Sequence, residues 1–503
     1  MSLTLRIGAP IATALTQESQ YISVEDCLFR SAQLVTLHPG ALIILCSVLI
    51  MRPLILFRPQ SFTANMADLK EIAKSVFLRT LSAIEPDTVI GQRVRLDDET
   101  LTLGGEQITL DAYDEVVLIG MGKASLKMGA AAEALFGERI KRGILVTDRR
   151  AHVRVRSEVV VGGHPLPDDN SLIAGEKIVN LVRSCGAGSL IVFLISGGGS
   201  SLVESPSSPR ISLGDLRATN ELLIRCGAAI DEINVIRKSL SKIKGGRLGR
   251  LAENSKCAAL YISDVNPGDL RSIASNPLLP ETVDARKLFD VVTRFNLMDE
   301  LPASVSSLLR QWEPVSLGNR GSMAEVQPST LLLLDNSSAV WAAVTLAKQS
   351  GFRVEVDADL IEGDYRSVAD RSVDHLLKLK SSFPNERVCV ISGGEVSCPV
   401  RDDGIGGRNQ EFVLYSAARL AGSGIREQTA VLSGGTDGID GNSKAAGAVA
   451  DAELVIKAAQ RGANASIFIS SNDSHSFFRK VGGLVVTGPT GNNVRDLRIL
   501  MAQ

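Results

Sequence analysis

The stretch LIVFLISGGGSSL, Leu190–Leu202, decides the fold class. Its first six residues are apolar without alternation, which predicts a strand buried on both faces. The serine and glycine run that follows predicts a tight turn feeding a helix. A strand covered on both sides belongs to a parallel sheet with helices on each face. Working outward, similar short runs occur at Glu115–Ile119 (EVVLI), Gly143–Thr147 (GILVT) and Ala258–Ile262 (AALYI), most of them followed by glycine-rich turns. A second set follows at Thr330–Leu334, Arg353–Val356, Val388–Ile391, Thr429–Leu432, Ser466–Ile469 and Leu484–Thr487. Between the sets, Trp312–Gln327 lacks periodicity and reads as a linker. The expected architecture is therefore α/β with two domains, 66–315 and 325–503, joined by 316–324. Each is expected to hold a largely parallel sheet covered by helices on both faces.

Residues 1–65 read differently. The apolar run Ala41–Met51 has eleven residues before Arg52-Pro53 interrupts it, whereas a spanning helix needs about 20. The expectation is an extension of doubtful order with no stable membrane span, and Met66 opens an amphipathic helical pattern, MADLKEIAKSVFLRTLSAI. Fifty-four basic residues against 56 acidic ones leave a net charge of −2, so no long-range attraction to nucleic acid or anionic membrane is expected. Seven cysteines without a C-x-x-C pair fit a reducing, cytoplasmic setting, and five dispersed histidines offer no transition-metal spacing.

In open α/β sheets ligands bind beyond the C-terminal strand ends, so the chemistry is sought in IGMGKAS (Ile119–Ser125), LISGGGSSL (Leu194–Leu202), YISDVNPGD (Tyr261–Asp269), ISGGEVS (Ile391–Ser397), GIGGRNQE (Gly404–Glu411) and LSGGTDGIDG (Leu432–Gly441). Glycine lets backbone N–H groups approach a phosphate, although any single such loop is also ordinary turn geometry. The candidates for cradling a nucleotide are Gly120, Gly122, Ser196, Gly197, Gly198, Gly199, Ser200, Gly434, Gly435 and Thr436. Lys123 supplies a compact positive charge inside the first turn, or is a solvated helix-start lysine. Arg408 offers a planar fork for a carboxylate or phosphate. The basic stretch Asn234–Arg250 (Arg237, Lys238, Lys242, Lys244, Arg247, Arg250) reads either as an anion site or as a solvated helix face. Among the acids Asp264, Asp269, Asp437, Asp440, Glu395 and Glu411, the candidate Mg²⁺ ligands are Asp264 and Asp437, against a reading as turn caps.

Competing signatures are weaker. G-x-x-x-x-G-K-[ST] is absent. GMGKAS is a truncated G-x-G-x-x-G/A, with Asp148 ending the next strand before Arg149 and Arg150, which is a partial dinucleotide fingerprint. Ser196, Ser200 and Ser201 lack the G-x-S-x-G elbow and an assignable histidine.

Taken in order, GMGKAS, GGHPLPDDNSLIAGEKI, LISGGGSSL, DEINVIRKSLSKIKGGRL, SDVNPGD, SGGEVS, GGRNQEF, SGGTDGIDG and VTGPTGNNVRDL make the chain resemble the glycerate 2-kinases of the MOFRL family, over about residues 66–503. The resemblance implies an active site in the interdomain cleft and ATP- and Mg²⁺-dependent phosphorylation of D-glycerate, at the 2- rather than the 3-hydroxyl. It implies Lys123 and Arg408 as catalytic residues, with Asp264 on the metal or the substrate hydroxyl. The sequence departs from the family pattern at Pro267, at Asn276 (usually glycine), at Leu278 (usually threonine) and at Ser239 (commonly histidine). Relatives carrying these motifs are also labelled hydroxypyruvate reductases, some in tartrate degradation. The alternative expectation is thus an NADH- or NADPH-dependent reductase acting on hydroxypyruvate. The expected partner is a small-molecule substrate in either case, and homo-oligomerisation is left open.

Overall fold

Asp68 begins the described chain as a helix cap, its carboxylate accepting the Lys70 amide at 2.9 Å. The computed structural model describes residues 68–150, 153–281, 285–311, 327–399, 403–424 and 428–503. The expected extension 1–65 and linker 316–324 lie outside the described residues. An antiparallel meander comes first: β1 (Val94–Asp97), β2 (Thr100–Leu103) and β3 (Glu106–Thr109). Leu101, Leu103 and Ile108 from this meander cover one face of the first large sheet.

That sheet comprises β4 (Glu115–Met121), β5 (Ile140–Thr147), β6 (Glu158–Val161), β7 (Ser189–Ile195), β8 (Lys256–Ile262) and β9 (Ser329–Leu334). Every pairing is parallel, and the order is β6-β5-β4-β7-β8-β9. The chain therefore reverses its direction of winding between β4 and β7. Crevices at such a reversal are where α/β proteins bind ligands. β7 is buried at every residue, as its unbroken apolar run requires. Alternate residues serve two cores: Val116 and Leu118 on one face, Val117 and Ile119 on the other.

The second sheet holds β10 (Arg353–Asp364), β11 (Val388–Ser397), β12 (Thr429–Gly435), β13 (Gly447–Ala450), β14 (Leu484–Val485) and β15 (Asp496–Ala502), in the order β10-β11-β15-β12-β13-β14. Here the expectation of a largely parallel sheet is corrected. Only β10 and β11 run parallel, and the other four pairings are antiparallel. The C-terminal strand β15 inserts between β11 and β12 and runs against both. Helices cover both faces of this sheet too, so its strands carry the same continuous apolar runs that a parallel sheet would. Ser466–Ile469, expected as a strand, lies in the helix Ala465–Ser470, because Asn464 caps the Ser466 amide at 3.0 Å.

The expected domain limits 66–315 and 325–503 are corrected at both ends. Thr330–Leu334, expected in the second domain, belongs to β9 and pairs with β8 in the first sheet. The helix Leu69–Ala83, expected in the first, buries Leu69, Ala73, Val76 and Phe77 against the second sheet. At Gly434 a Cβ would stand 2.6 Å from the Phe77 ring, so this glycine serves packing between helix and sheet.

Of the basic stretch, Lys242 and Arg250 are exposed as a solvated face would have them, whereas Arg237, Lys238, Lys244 and Arg247 are committed to partners within the fold. Lys238 binds both oxygens of Glu281 at 2.7 and 2.8 Å. Arg237 donates to Asn220 Oδ1 at 2.7 Å, and Arg247 closes over the carbonyls of Lys238, Ser241 and Lys244. Lys244 is buried against Glu204, which also accepts the Ser241 hydroxyl at 2.6 Å. Burial pushes the Lys244 ammonium down from its ordinary value, and Glu204 opposes this. Removing one partner of a buried pair strands the other charge, whereas replacing both by apolar groups is often near neutral. Lys244→Met is therefore expected to cost about 3–5 kcal/mol, with most of it recovered in Lys244→Met/Glu204→Leu. Denaturant unfolding of the two variants checks this.

Candidate active site

Two strand-end turns meet at the winding reversal and are joined by their backbones. Ser196 N–H donates to Met121 O at 3.0 Å, Lys123 N–H to Gly197 O at 2.9 Å and Gly122 N–H to Val146 O at 3.1 Å. Ala124 N–H donates to Ser196 Oγ at 3.1 Å. These bonds fix the start of the helix Ser125–Phe136 and carry Lys123 to the mouth of the crevice. The amides of Gly197, Gly198, Gly199 and Ser200, by contrast, donate to no acceptor among the described residues. Gly198 holds φ +82°, and a Cβ there would stand 3.2 Å from both Lys123 Cγ and His164 Cδ2. A run of amides interrupted by a left-handed residue forms a concavity suited to an anion.

Asp264, just past β8, completes this group. A Cβ on Gly197 would collide with the Asp264 carboxylate, so the missing side chain admits the acid beside the open amides. Burial raises the Asp264 carboxyl above the ordinary carboxylate range, and Lys123 and Arg495 pull it back. Burial likewise raises Asp437, with Lys123 and Arg408 opposing. Desolvation and the Lys123 charge push His164 down to about 4, leaving a neutral imidazole although its edge reaches solvent.

The sequence candidates divide on this geometry. Lys123, Gly197, Gly198, Gly199, Asp264 and Asp437 come together, with Lys123 acting electrostatically on both aspartates and Asp437 on Asp264. Gly120 lies inside β4, where a Cβ would press on Leu145, and Gly122 leaves room for Ser196. Ser196 Oγ accepts the Ala124 amide, and Ser200 Oγ bonds Ser275 Oγ at 2.8 Å. Gly434 serves the core, and a Cβ on Gly435 would stand 3.0 Å from Asp437 Oδ1. Thr436 donates its hydroxyl to Arg495 O at 2.7 Å and accepts Val494 N–H at 2.8 Å. Of the ten residues proposed to cradle a nucleotide, then, Gly120, Gly122, Ser196, Gly434, Gly435 and Thr436 shape the loops from within.

Arg408 departs from the expected free fork. Nε and Nη2 bind Asp496 at 2.6 and 2.9 Å, while Nη1 meets Glu395 at 2.8 Å. Burial opposes its charge, but the two carboxylates outweigh burial and hold the guanidinium above its ordinary value. Lys123 and Arg408 also line separate hollows. One is a cleft between the sheets, lined by Lys123, Lys127, Asp148, Arg149, Asp437 and Asn492. The other, about 490 Å³, lies within the second lobe beside Arg408, Glu411, Asn442 and Cys398. Asp437, on the wall of the first, interacts electrostatically with both cations.

Sequence reasoning missed Arg495 and Asp496. Arg495 Nε donates to Asp264 O at 2.8 Å, and Nη1 to Asn266 Oδ1 at 2.9 Å and Glu362 Oε1 at 3.1 Å. Asp496 is fully buried and also accepts from Asn409 at 3.1 Å. Both stand in the NNVRDL segment, whose apolar continuation concealed them. Asn276, a departure from the family pattern, holds φ +54°, a conformation glycine and asparagine both tolerate. Ser239 is buried and donates to Ile236 O at 2.7 Å. No cluster of three or more His, Cys, Asp or Glu side chains fit to hold a metal occurs among the described residues.

Beside the second hollow, burial pushes the Glu411 carboxyl up to about 7, with Ser474 and Tyr365 opposing and Asp440 adding to the rise. The folded chain thus holds this proton to about pH 7 and the unfolded chain only to its ordinary 4.5. The stability it contributes is complete below the unfolded value and is lost as pH rises through the folded one. Glu411→Gln is therefore expected to match the parent near pH 4 and to unfold several degrees above it near pH 8. Parallel melting curves across that range would refute the assignment.

Comparison with known proteins agrees with this layout. Residues 72–310 match a domain of unknown function, DUF4147, and residues 388–496 match the MOFRL family. D-glycerate 2-kinase of Thermotoga maritima is 33% identical, covering 86% of this chain and 98% of its own length. Glycerate kinase of Danio rerio is 30% identical, covering 87% of this chain and 98% of its own. The crystal structure of the Thermotoga maritima glycerate kinase superposes with a TM-score of 0.74 at 30% identity, over 86% of this chain and 99% of that one. With that coverage and identity, joined to the shared two-sheet architecture, the chain belongs to the MOFRL family of glycerate 2-kinases.

Proposed function

We propose that the chain transfers the γ-phosphoryl group of ATP to the 2-hydroxyl of D-glycerate, giving 2-phosphoglycerate, in the cytosol. The observation that carries this reading is the concavity at the winding reversal: four open amides, Gly197 to Ser200, beside Lys123 and the half-buried Asp264. Phosphoryl transfer needs positioning and neutralisation of charge more than covalent participation. Lys123 forms no ion pair among the described residues and so retains its charge for the transferring group. The open amides hold phosphate oxygens as a helix start would. Asp264 stands beside the open amides and Lys123, where its carboxylate orients the substrate hydroxyl. Arg408 braces the second lobe through Asp496, and its Nη1 edge, shared with Glu395, faces the remaining ligand charge.

Asp264 and Asp437 suit a Mg²⁺ ion. They are half-buried carboxylates, Asp437 adding to the rise of Asp264, and Mg²⁺ is commonly held by one or two carboxylates together with substrate phosphates. When bound, the ion would neutralise phosphate charge between the lobes.

The reductase reading finds support in two Agrobacterium vitis proteins, 38% and 35% identical over 76% of this chain, whose names propose a hydroxypyruvate reductase. A dinucleotide turn, however, must offer its amides to a pyrophosphate, and those of Gly122, Lys123 and Ala124 are spent within the fold.

The test is a purified sample supplied with ATP, Mg²⁺ and D-glycerate. ADP should form, the product phosphorus should couple to a single methine proton, and chelation should stop turnover. Lys123→Ala is expected to lower kcat by about 10³-fold or more with unchanged circular dichroism. Oxidation of NADH or NADPH by hydroxypyruvate, without glycerate-dependent ADP, would overturn the proposal.

A further inference from the structure

Asp264 leaves the first lobe on a loop whose carbonyl is claimed by the second. Arg495 Nε donates to Asp264 O at 2.8 Å, and its Nη1 reaches Asn266 Oδ1 at 2.9 Å on the same loop. The guanidinium is returned to its own lobe by Glu362 at 3.1 Å and by Glu395 at 4.0 Å. The side chain is only 11% exposed, so these bonds lie within the contact between the lobes. Its backbone holds φ +68°, a conformation that disfavours any residue with a side chain. That turn is over-determined. Arg495 N–H donates to Asn493 Oδ1 at 3.0 Å, while its carbonyl accepts the Thr436 amide at 3.0 Å and hydroxyl at 2.7 Å. A strained conformation held by surrounding bonds marks a position where direction of the side chain matters.

We propose that Arg495 is a positioning residue: it latches the Asp264 loop to the second lobe and so sets Asp264 against Gly197 and Lys123. Asp264 lies on a loop past a strand end, held within the first lobe by Ser263 N–H on Leu334 O at 2.8 Å and by its fit over Gly197. The latch adds the hold from the second lobe. Correct alignment in the transfer site then depends on the contact between the lobes, not on the first sheet alone. The inference rests on the kinase reading for its kinetic consequences but not for the latch itself.

Two variants test it. Arg495→Gly removes the fork while relieving the left-handed backbone, so folding is not at stake. Arg495→Lys keeps a positive charge without the two-pronged geometry. Hydrogen exchange of the amides in 263–269 is expected to quicken at least ~10-fold in the glycine variant, with the melting temperature within about 3 °C of the parent. Its kcat should fall ~10- to 100-fold while KM for ATP and for D-glycerate moves less than about 3-fold. Arg495→Lys, which keeps one donor but not the fork, is expected to lie between the parent and the glycine variant in both exchange and kcat. Unchanged exchange in 263–269 would refute the latch. Quickened exchange with unaltered kcat would refute the positioning role. If the parent shows no transfer to glycerate, the exchange experiment alone decides the latch, which keeps its failure separate from that of the kinase reading.

Discussion

Two neighbouring turns of one parallel sheet hold each other by their backbones: Ser196 donates to Met121 and Lys123 donates to Gly197. These bonds lie at the point where the winding of the sheet reverses, so no helix crosses over them and the crevice stays open. The rest of the site depends on this junction. It spends the amides of the first turn and leaves those of the second open, directs Lys123 across the gap, and presents a bare Gly197 against which Asp264 packs. A side chain at Gly197 would expel the acid from the cluster.

The second lobe contributes a rigid charge lattice. Asp496 begins β15, which is threaded between β11 and β12, and is wholly buried. A buried carboxylate needs several donors, and Arg408 and Asn409 supply them. Asp440 is treated in the same way by the amides and side chains of Asn409 and Gln410, although burial still raises it to about 6. The GGRNQE segment is therefore a bracket for two aspartates, and the arginine within it is committed to Asp496 and Glu395. This explains how a residue that looks free in the sequence becomes committed in the fold.

How much was legible without coordinates follows from the range of each signal. The unbroken apolar runs of β4, β7 and β8 and the glycines after them are local, and they revealed the first sheet and its ligand-bearing ends. Lys123 was recognisable because its charge interrupts such a turn. The lattice was not legible, because Arg408 and Asp496 lie 88 positions apart and Arg495 and Asp264 lie 231 apart. Nothing near either partner signals the other. Strand direction in the second sheet was misread for a similar reason: burial on both faces produces the same apolar run whether a neighbour is parallel or antiparallel.

By itself the sequence determined the α/β class, the strand-end loops where chemistry collects, and, through its ordered motifs, the family. Those features depend on local periodicity and on the backbone freedom of glycine, which act over a few residues. Only the tertiary structure decided which glycines keep open amides and which make room for Leu145 or Phe77, that four residues of the basic stretch are spent within the fold, and that Arg408 is already paired. The reason is that commitment of a polar group depends on its three-dimensional neighbours. In this chain those neighbours arrive from the opposite lobe and from the last strand.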